Sequence, residues 1–392
     1  MQANRKVLCS FSSVLITLCM AVLLTLGLAS CLGSSTGGGS SGGGDSDANL
    51  IYLADTGNKR IRAVNLSTGK IETIAGTGNS GFSANGTSAT SANIGSVNKA
   101  IVYKGDLYIN LMNQHCLQKI VNGKVYVVAG SCGNGGFAGD GGVATAAQLD
   151  TLSGFCFDEP NQLLYLVDRE NRRVRRVNLS TNVITTFAGD GTTDGWNNAD
   201  DGAAATSASI HPNDCAVDSS GSVFLSNNDN DVIRKITSAG IISTYAGDGI
   251  AGSTGDGGPS TSARVNDPIA LSIDGSDNLY IADCGNHVIR RITSSGTVST
   301  VAGIKGSGGA TGDGGAATSA QMSFPQGVVF DNNALYVGDT NNEVARKVDL
   351  SSGTISLFAG DYNEGFSGDG NSATSARLDA VMGFAIAFGG GG

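Results

Sequence analysis

The chain has 392 residues, 40% of them hydrophobic and only 15% charged, with 59 glycines and a formal charge of −10. That hydrophobic content supports a large buried core and excludes a disordered chain. The acidic balance argues against a nucleic-acid partner, because affinity for phosphate backbones comes from clustered Lys and Arg; cations, sugars or basic protein surfaces suit it better.

The first thirty residues read as an export signal. Arg5 and Lys6 form a positive start, Val7 to Leu28 is an apolar run, and Ala29 and Ser30 supply small residues before Cys31. The stretch "LASC", Leu28 to Cys31, resembles the bacterial lipobox. That resemblance implies cleavage after Ser30, acylation of Cys31 and a partner in the lipid bilayer, whereas a plain signal peptide or an uncleaved anchor is the simpler alternative. Each buried methylene of an acyl chain contributes about 0.8 kcal/mol, so two or three chains hold firmly. Residue 32 is Leu rather than Asp, which favours the outer membrane or cell surface. Loss of Arg5 and Lys6 without any acid takes the formal charge from −10 to −12. Residues 31–48 then form the acylated Cys and a Gly/Ser-rich tether, with a reach on the order of 20–25 Å.

From residue 49 to 392 the pattern is strand after strand. "NLIYLAD" (Asn49 to Asp55) opens a first unit, and a β-rich run ending in Ala-Gly recurs with its glycine at 76, 130, 189, 247, 303 and 360, a spacing of 54 to 59 residues. Repetition at that period marks a repeat fold. In the fifth unit "NLYIAD" (Asn278 to Asp283), "HVIRRI" (His287 to Ile292) and "GTVSTVAG" (Gly296 to Gly303) follow one another with period-2 alternation and turn signals between. A fourth strand follows a long loop, as in "QGVVFD" (Gln326 to Asp331). Four antiparallel strands per unit without helices between units are the pattern of a β-propeller blade. The first unit lacks its leading strand, and the chain finishes with an orphan strand, "MGFAIAF" (Met382 to Phe388). The expectation is an all-β, six-bladed propeller of four-stranded antiparallel blades, closed by pairing of the C-terminal strand with the N-terminal hairpin, which removes exposed sheet edges.

Within each unit an Asp comes three residues after the strand aromatic and an Arg ten after it. Asp55 goes with Arg62, Asp168 with Arg175, Asp283 with Arg290 and Asp339 with Arg346. The fourth unit has Asn227 with Arg234, and in the second both change together, to Leu111 and Gln118. Joint loss predicts that the two side chains face each other as structural ion pairs. The inter-blade loop recurs as "GFAGDGGVATAAQL" (Gly136 to Leu149), "TGDGGPSTSARV" (Thr254 to Val265) and "GFSGDGNSATSARL" (Gly365 to Leu378). Its Asp-Gly predicts a tight turn and its Ala-Thr-Ser a single helical turn buried between blades, so the loops read mainly as hinges. The ring of Asp140, Asp201, Asp256, Asp313 and Asp369 is the candidate calcium site, although single Asp-Gly turns lack the several oxygen ligands calcium needs.

Unrepeated residues carry the functional expectation. Trp196, in the third loop, suits stacking on a sugar or anchoring a protein. Asn213, Asp214, Asp267 and Gln326 stand at the starts of innermost strands, near the channel mouth. "ENRRVRR" (Glu170 to Arg176) reads as a solvated strand face, and Trp196 has the alternative of packing within its own loop. Five cysteines follow Cys31; Cys116 with Cys132 and Cys156 with Cys215 are both plausible pairs, and an odd count leaves at least one thiol unpaired within the chain.

"LYIADCGNHVIRRI" (Leu279 to Ile292), "IYLADTGNKRIRAV" (Ile51 to Val64) and the loop "AGDGIAGSTGDGGPSTSARV" (Ala246 to Val265) resemble NHL-repeat propellers, with loops similar to those of bacterial NHL proteins and of the NHL domain of teneurins. The resemblance covers residues 49–388 and implies the fold; activity varies within the family. Six-bladed relatives include calcium-dependent lactonases and a zinc-using lyase, so an envelope enzyme with its site at the channel mouth, around Asn213, Asp214 and Asp267, is the alternative. The three histidines, His115, His211 and His287, do not converge as zinc catalysis requires. The leading expectation is a monomeric, membrane-tethered scaffold that recognises a protein or glycan through its loop face, with no required cofactor, no metal site and no catalytic residues.

Overall fold

The computed structural model describes residues 49–192 and 200–387. These form six four-stranded antiparallel sheets, five of them paired in sequence order from an innermost to an outermost strand and one with the last strand of the chain innermost. The innermost strands are Val381–Ala387, Ala100–Tyr103, Leu152–Asp158, Asp214–Val217, Pro268–Ile273 and Pro325–Asp331, which define blades 1 to 6. Blade 1 is completed as expected: Leu50 pairs with Ala387, Tyr52 with Ala385 and Asp55 with Val381, antiparallel. The first strand therefore has partners on both sides, and the ring has no open seam.

Each blade buries both faces against its neighbours, so its strands are aliphatic and β-branched at nearly every central position; Leu279–Asp283 is buried throughout. Two repeated backbone devices shape the blade. The pairing between the third and outermost strands slips by a bulge immediately before Arg62, Gln118, Arg175, Arg234, Arg290 and Arg346, and a bulge re-aims the following side chain. The hairpin between the second and third strands turns through a left-handed residue in all six blades: Lys59, His115, Arg172, Asp231, His287 and Glu343 have φ between 53° and 61°.

The long loops are hinges with a second task. Each leaves an outermost strand, crosses to the next blade and pairs with that blade's outer edge before entering its innermost strand. Gly141 N–H donates to Ile184 O and Ile184 N–H to Gly142 O; Gly370 and Ile71 form the corresponding contact where blade 6 meets blade 1. Edges that would template aggregation are thereby covered. The expected helical turn is a 3-10 turn, Ala144–Ala146 in one loop and Ala373–Ser375 in another, with its first Ala buried. The repeated Ala-Gly follows from this. The glycine N–H caps the turn, as Gly130 does to Ala144 O, at a φ of 85°, and a Cβ there would lie 2.3 Å from His115 O.

Candidate functional site

The bulge delivers a buried arginine to the top of each blade except the second, where Gln118 takes its place. Arg62 meets Asp55 at 3.2 Å, Arg175 meets Asp168 at 3.3 Å, Arg346 meets Asp339 at 3.4 Å and Arg290 meets Asp283 at 3.6 Å. All eight side chains are fully buried. Each guanidinium also reaches the loop that covers its blade: Arg175 to Asp140 at 2.5 Å, Arg290 to Asp256 at 2.7 Å, Arg346 to Asp313 and Arg62 to Asp369 both at 2.8 Å, and Arg234 to Asp201 at 2.9 Å. The loop carboxylates are further held by outer-strand threonines, Asp140 by Thr186 and Asp256 by Thr300. The ring of loop aspartates is thus consumed as arginine partners, one in each blade except the second.

In the pairs Asp168 with Asp140 and Asp283 with Asp256, each sharing one arginine, the more deeply buried carboxyl is the weaker acid. Burial outweighs the Asn286 and Asn266 hydrogen bonds and the nearby Arg290 charge at Asp283 and raises its pKa to about 7; burial likewise raises Asp55, Asp168 and Asp339 to about 6 against the donors each accepts. At Asp140 burial also raises the pKa, but Thr186 and Arg175 outweigh it and hold the carboxyl below its ordinary value. Blade 4 lacks the inner carboxylate. Asn227 is buried with neither amide atom partnered among the described residues, and Arg234 keeps Asp201.

The link from arginine to loop was legible and missed. Asp140 precedes Arg175 by 35 residues, and the other pairs within one blade stand at nearly the same distance. In blade 2 all three members change together, to Leu111, Gln118 and Asn85; Gln118 there bonds Ser83 O, and Asn85 accepts from Val127 N–H.

The left-handed hairpin residue carries a second latch. His115 Nδ1 accepts from Thr151 N–H at 3.0 Å and His287 Nδ1 from Phe324 N–H at 3.1 Å; Asp231 and Glu343 accept from Asp267 and Ala380 N–H in the same place. Two histidines and two acids thus serve as interchangeable acceptors for the segment entering the next blade. Burial lowers the pKa of His287, consistent with a neutral ring that accepts. His211 lies apart, bonded to Asp229 and 4.0 Å from Glu170. Among the described residues no cluster of three His, Cys, Asp or Glu is arranged to hold a metal.

Of the channel-mouth residues, Asn213, Asp214 and Gln326 come together on the wall of an axial cavity of about 370 Å³. Asp267 does not line it. Its backbone turns with φ 51° and its carboxylate accepts from Asn228, tying it to the hairpin rather than the axis. Asp214 is no free ligand either: Lys99 of blade 2 reaches it at 2.6 Å and Cys215 O at 2.8 Å, and Leu271 N–H donates to its other oxygen. This charged bar runs past blade 3, where Gly154 has no room for a side chain; a Cβ would lie 2.5 Å from Asp214 Oδ1.

Both anticipated disulfides are present. Cys116–Cys132 ties a hairpin to its following loop and Cys156–Cys215 joins the inner strands of blades 3 and 4, leaving Cys284 buried and free. The basic run 170–176 is not a simple solvated face. Arg175 is the buried clamp, and Arg173 and Arg176 stack over Phe137 and Phe187. Trp196 and Cys31 lie outside the described residues. The loop face carries instead an aromatic pattern not anticipated from sequence: Phe366, Phe82 and Phe137, 42–45% exposed, on the loops covering blades 1, 2 and 3. Phe366 sits 3.8 Å from Arg60 and Phe137 4.1 Å from Arg173. The recurring "GF" of those loops was the available signal.

No protein-family model matches the chain. It is 24% identical over 256 residues to Protein SUPPRESSOR OF QUENCHING 1, chloroplastic, of Arabidopsis thaliana, a match covering 62% of this chain and 24% of that protein. It is 33% identical over 114 residues to NHL repeat-containing protein 2 of Bos taurus, covering 28% of this chain and 15% of that one. The matches thus span a quarter or less of those relatives' own length. A solved nidogen/laminin complex is similar in fold, with a TM-score of 0.54 at 12% identity over 86% of this chain and 98% of that one. Six closed four-stranded blades, with repeats similar to those of NHL-repeat proteins, make this chain an NHL-repeat six-bladed β-propeller.

Proposed function

We propose that this propeller is a membrane-tethered, extracytoplasmic binding scaffold that recognises a protein or glycan through its inter-blade loop face. The carrying observation is the run of half-exposed rings Phe366, Phe82 and Phe137 over three consecutive blades. Exposed aromatic groups gathered on one face mark interaction sites, and rings already stacked on Arg60 and Arg173 lose little freedom on binding. Buried Arg62 and Arg175 clamp the loops of Phe366 and Phe137, and Gln118 bonds the loop of Phe82, so the surface is preorganised, which lowers the ordering cost of association. The likeness to a nidogen/laminin complex supports a protein-binding use of this shape. The lipobox-like Leu28–Cys31 and the Gly/Ser-rich stretch after it support anchorage outside the cytoplasm.

The test is binding of the purified protein to isolated cell envelopes, with and without the triple change Phe82→Ser, Phe137→Ser and Phe366→Ser. The reading expects at least a ten-fold loss of affinity at an unchanged unfolding midpoint; equal binding by the variant rejects it. Protease treatment of the envelopes then separates a protein partner from a glycan. Cys31→Ser should release the chain from the membrane fraction.

A further inference from the structure

The axial cavity is a built site whose wall includes none of the rings Phe82, Phe137 and Phe366. Its wall is divided. Toward the starts of the innermost strands stand Asn98, Lys99, Asn213, Asp214 and Gln326; toward their ends it is mainly apolar, with Val102, Phe157, Val217, Ile273 and Phe330 beside Tyr103 and Glu159. A volume of about 370 Å³ falls in the range of small-molecule sites, which are mostly apolar with a few placed polar groups.

The charged bar is the informative feature. Elsewhere blades are stitched near the axis by neutral side chains bonding backbone: Thr56 to Val97 O, Asn110 to Leu152 O, Ser226 to Ile269 O and Thr340 to Val381 O. A buried ion pair holds neighbours together no better than such ties or an apolar pair, because desolvation offsets its attraction. Lys99 and Asp214 therefore need a reason beyond cohesion. An ammonium has three N–H donors, and Asp214 and Cys215 O take two of them. The third N–H has no partner among the described residues, on a side chain that lines the cavity. Because Asp214 neutralises the lysine locally, the site offers a strong donor without net positive charge, next to an apolar chamber.

We propose that the axial cavity binds a neutral, mainly hydrophobic small molecule whose carbonyl or hydroxyl oxygen accepts a hydrogen bond from Lys99. The body of the ligand lies against Phe157 and Phe330 and its oxygen faces the polar end.

The probe is prodan, a neutral naphthyl ketone whose emission reports both polarity and hydrogen bonding to its carbonyl, titrated against the full chain. Saturable binding is expected, weakened at least ten-fold by Ala270→Phe or Val329→Phe, which fill the chamber, at an unchanged unfolding midpoint. Lys99→Met should shift the bound emission to the blue as the carbonyl loses its donor. Should that variant leave Asp214 unpaired and fail to fold, the double variant Lys99→Met, Asp214→Leu serves instead. The triple Phe→Ser variant of the loop face should bind prodan unchanged, so the two readings fail separately. Absence of saturable binding, binding untouched by both chamber-filling changes, or tighter binding of the anionic probe anilinonaphthalene sulfonate overturns the proposal.

Discussion

Asp283 shows what a single clamp residue does. Its carboxylate is fully buried, accepts from Asn286 and from Asn266 N–H, and faces Arg290. Asp283→Ala leaves Arg290 with Asp256 as its remaining carboxylate and leaves Asn286 and Asn266 N–H without this acceptor; such a loss typically costs about 1–3 kcal/mol, so chemical denaturation should show a loss of that order while prodan and envelope binding stay unchanged. The same residue predicts a pH dependence. Asp283 at about 7, and Asp55, Asp168 and Asp339 at about 6, lie above the unfolded carboxyl value, so the native state binds protons that the unfolded chain has released. Their contribution is fully present below about pH 4 and is lost as pH rises through 6 to 7. His287, with its lowered pKa, acts in the opposite sense: its contribution is lost as pH falls. Comparison with Asp283→Asn isolates the carboxyl. Denaturation midpoints at pH 5 and pH 8 should differ less in that variant than in the parent, and equal differences would remove Asp283 from the account. The pairing of Asp with Arg was legible because both vary together in blade 2. The rise in the inner carboxyls' pKa was not, since it comes from burial, which is complete only when blade and loop are packed together.

At the scale of the element, the loop is an edge cover fastened by one charge. Asp369 meets Arg62 and Thr73, and Asn58 bonds Gly365 O, while Gly370 and Asn371 pair with the outermost strand at Ile71. Asp369→Ala leaves the backbone pairing without its anchor. Hydrogen exchange should quicken at Ile71 and at Gly370, with the first strand, Leu50–Asp55, unaffected; uniform exchange across blade 1 would mean that the charge is not the fastening. The loss of global stability should be modest, about 1–3 kcal/mol, the usual effect of breaking one hydrogen bond to a charged group. Sequence repetition made the loop's recurrence, its tight turn and its helical turn legible, because those are local. What the loop covers is set by the path of the chain over the neighbouring blade, and no short-range pattern encodes it. For the same reason Asn213, Asp214 and Gln326 could be placed at the axis from strand starts alone, whereas the turn that takes Asp267 away from it could not. Lys99, from a blade not singled out, entered the site only through its length.

For the whole molecule the deciding structure is the seam. Val381–Ala387 supplies the innermost strand of blade 1, burying Val381, Phe384 and Ile386; Gly383 also lies so close to blade 2 that a Cβ would meet Asn98 O at 2.7 Å. Burial of side chains of that size contributes about 1.5–3 kcal/mol each, a sum comparable with the 5–15 kcal/mol by which domains are stable at all. A chain ending at residue 380 should therefore lose cooperative unfolding rather than merely shift its midpoint, and a truncated protein with the parent's transition would show that the ring does not depend on closure. Truncation alone would not distinguish a missing strand from a damaged terminus, but the pairing itself offers the control. Ala387 stands opposite Leu50 in the antiparallel register, so residues 381–387 can be moved ahead of Leu50 and joined to it through a two-residue Asn-Gly turn, the connection that suits such a hairpin. That permuted chain keeps every strand pair and opens the polypeptide between 380 and 381 instead. If closure is a matter of strand pairing and not of where the chain ends, it should recover most of the parent's stability, read as a denaturation midpoint close to the parent's; failure to recover would show that the covalent run from the sixth loop into the last strand is itself required.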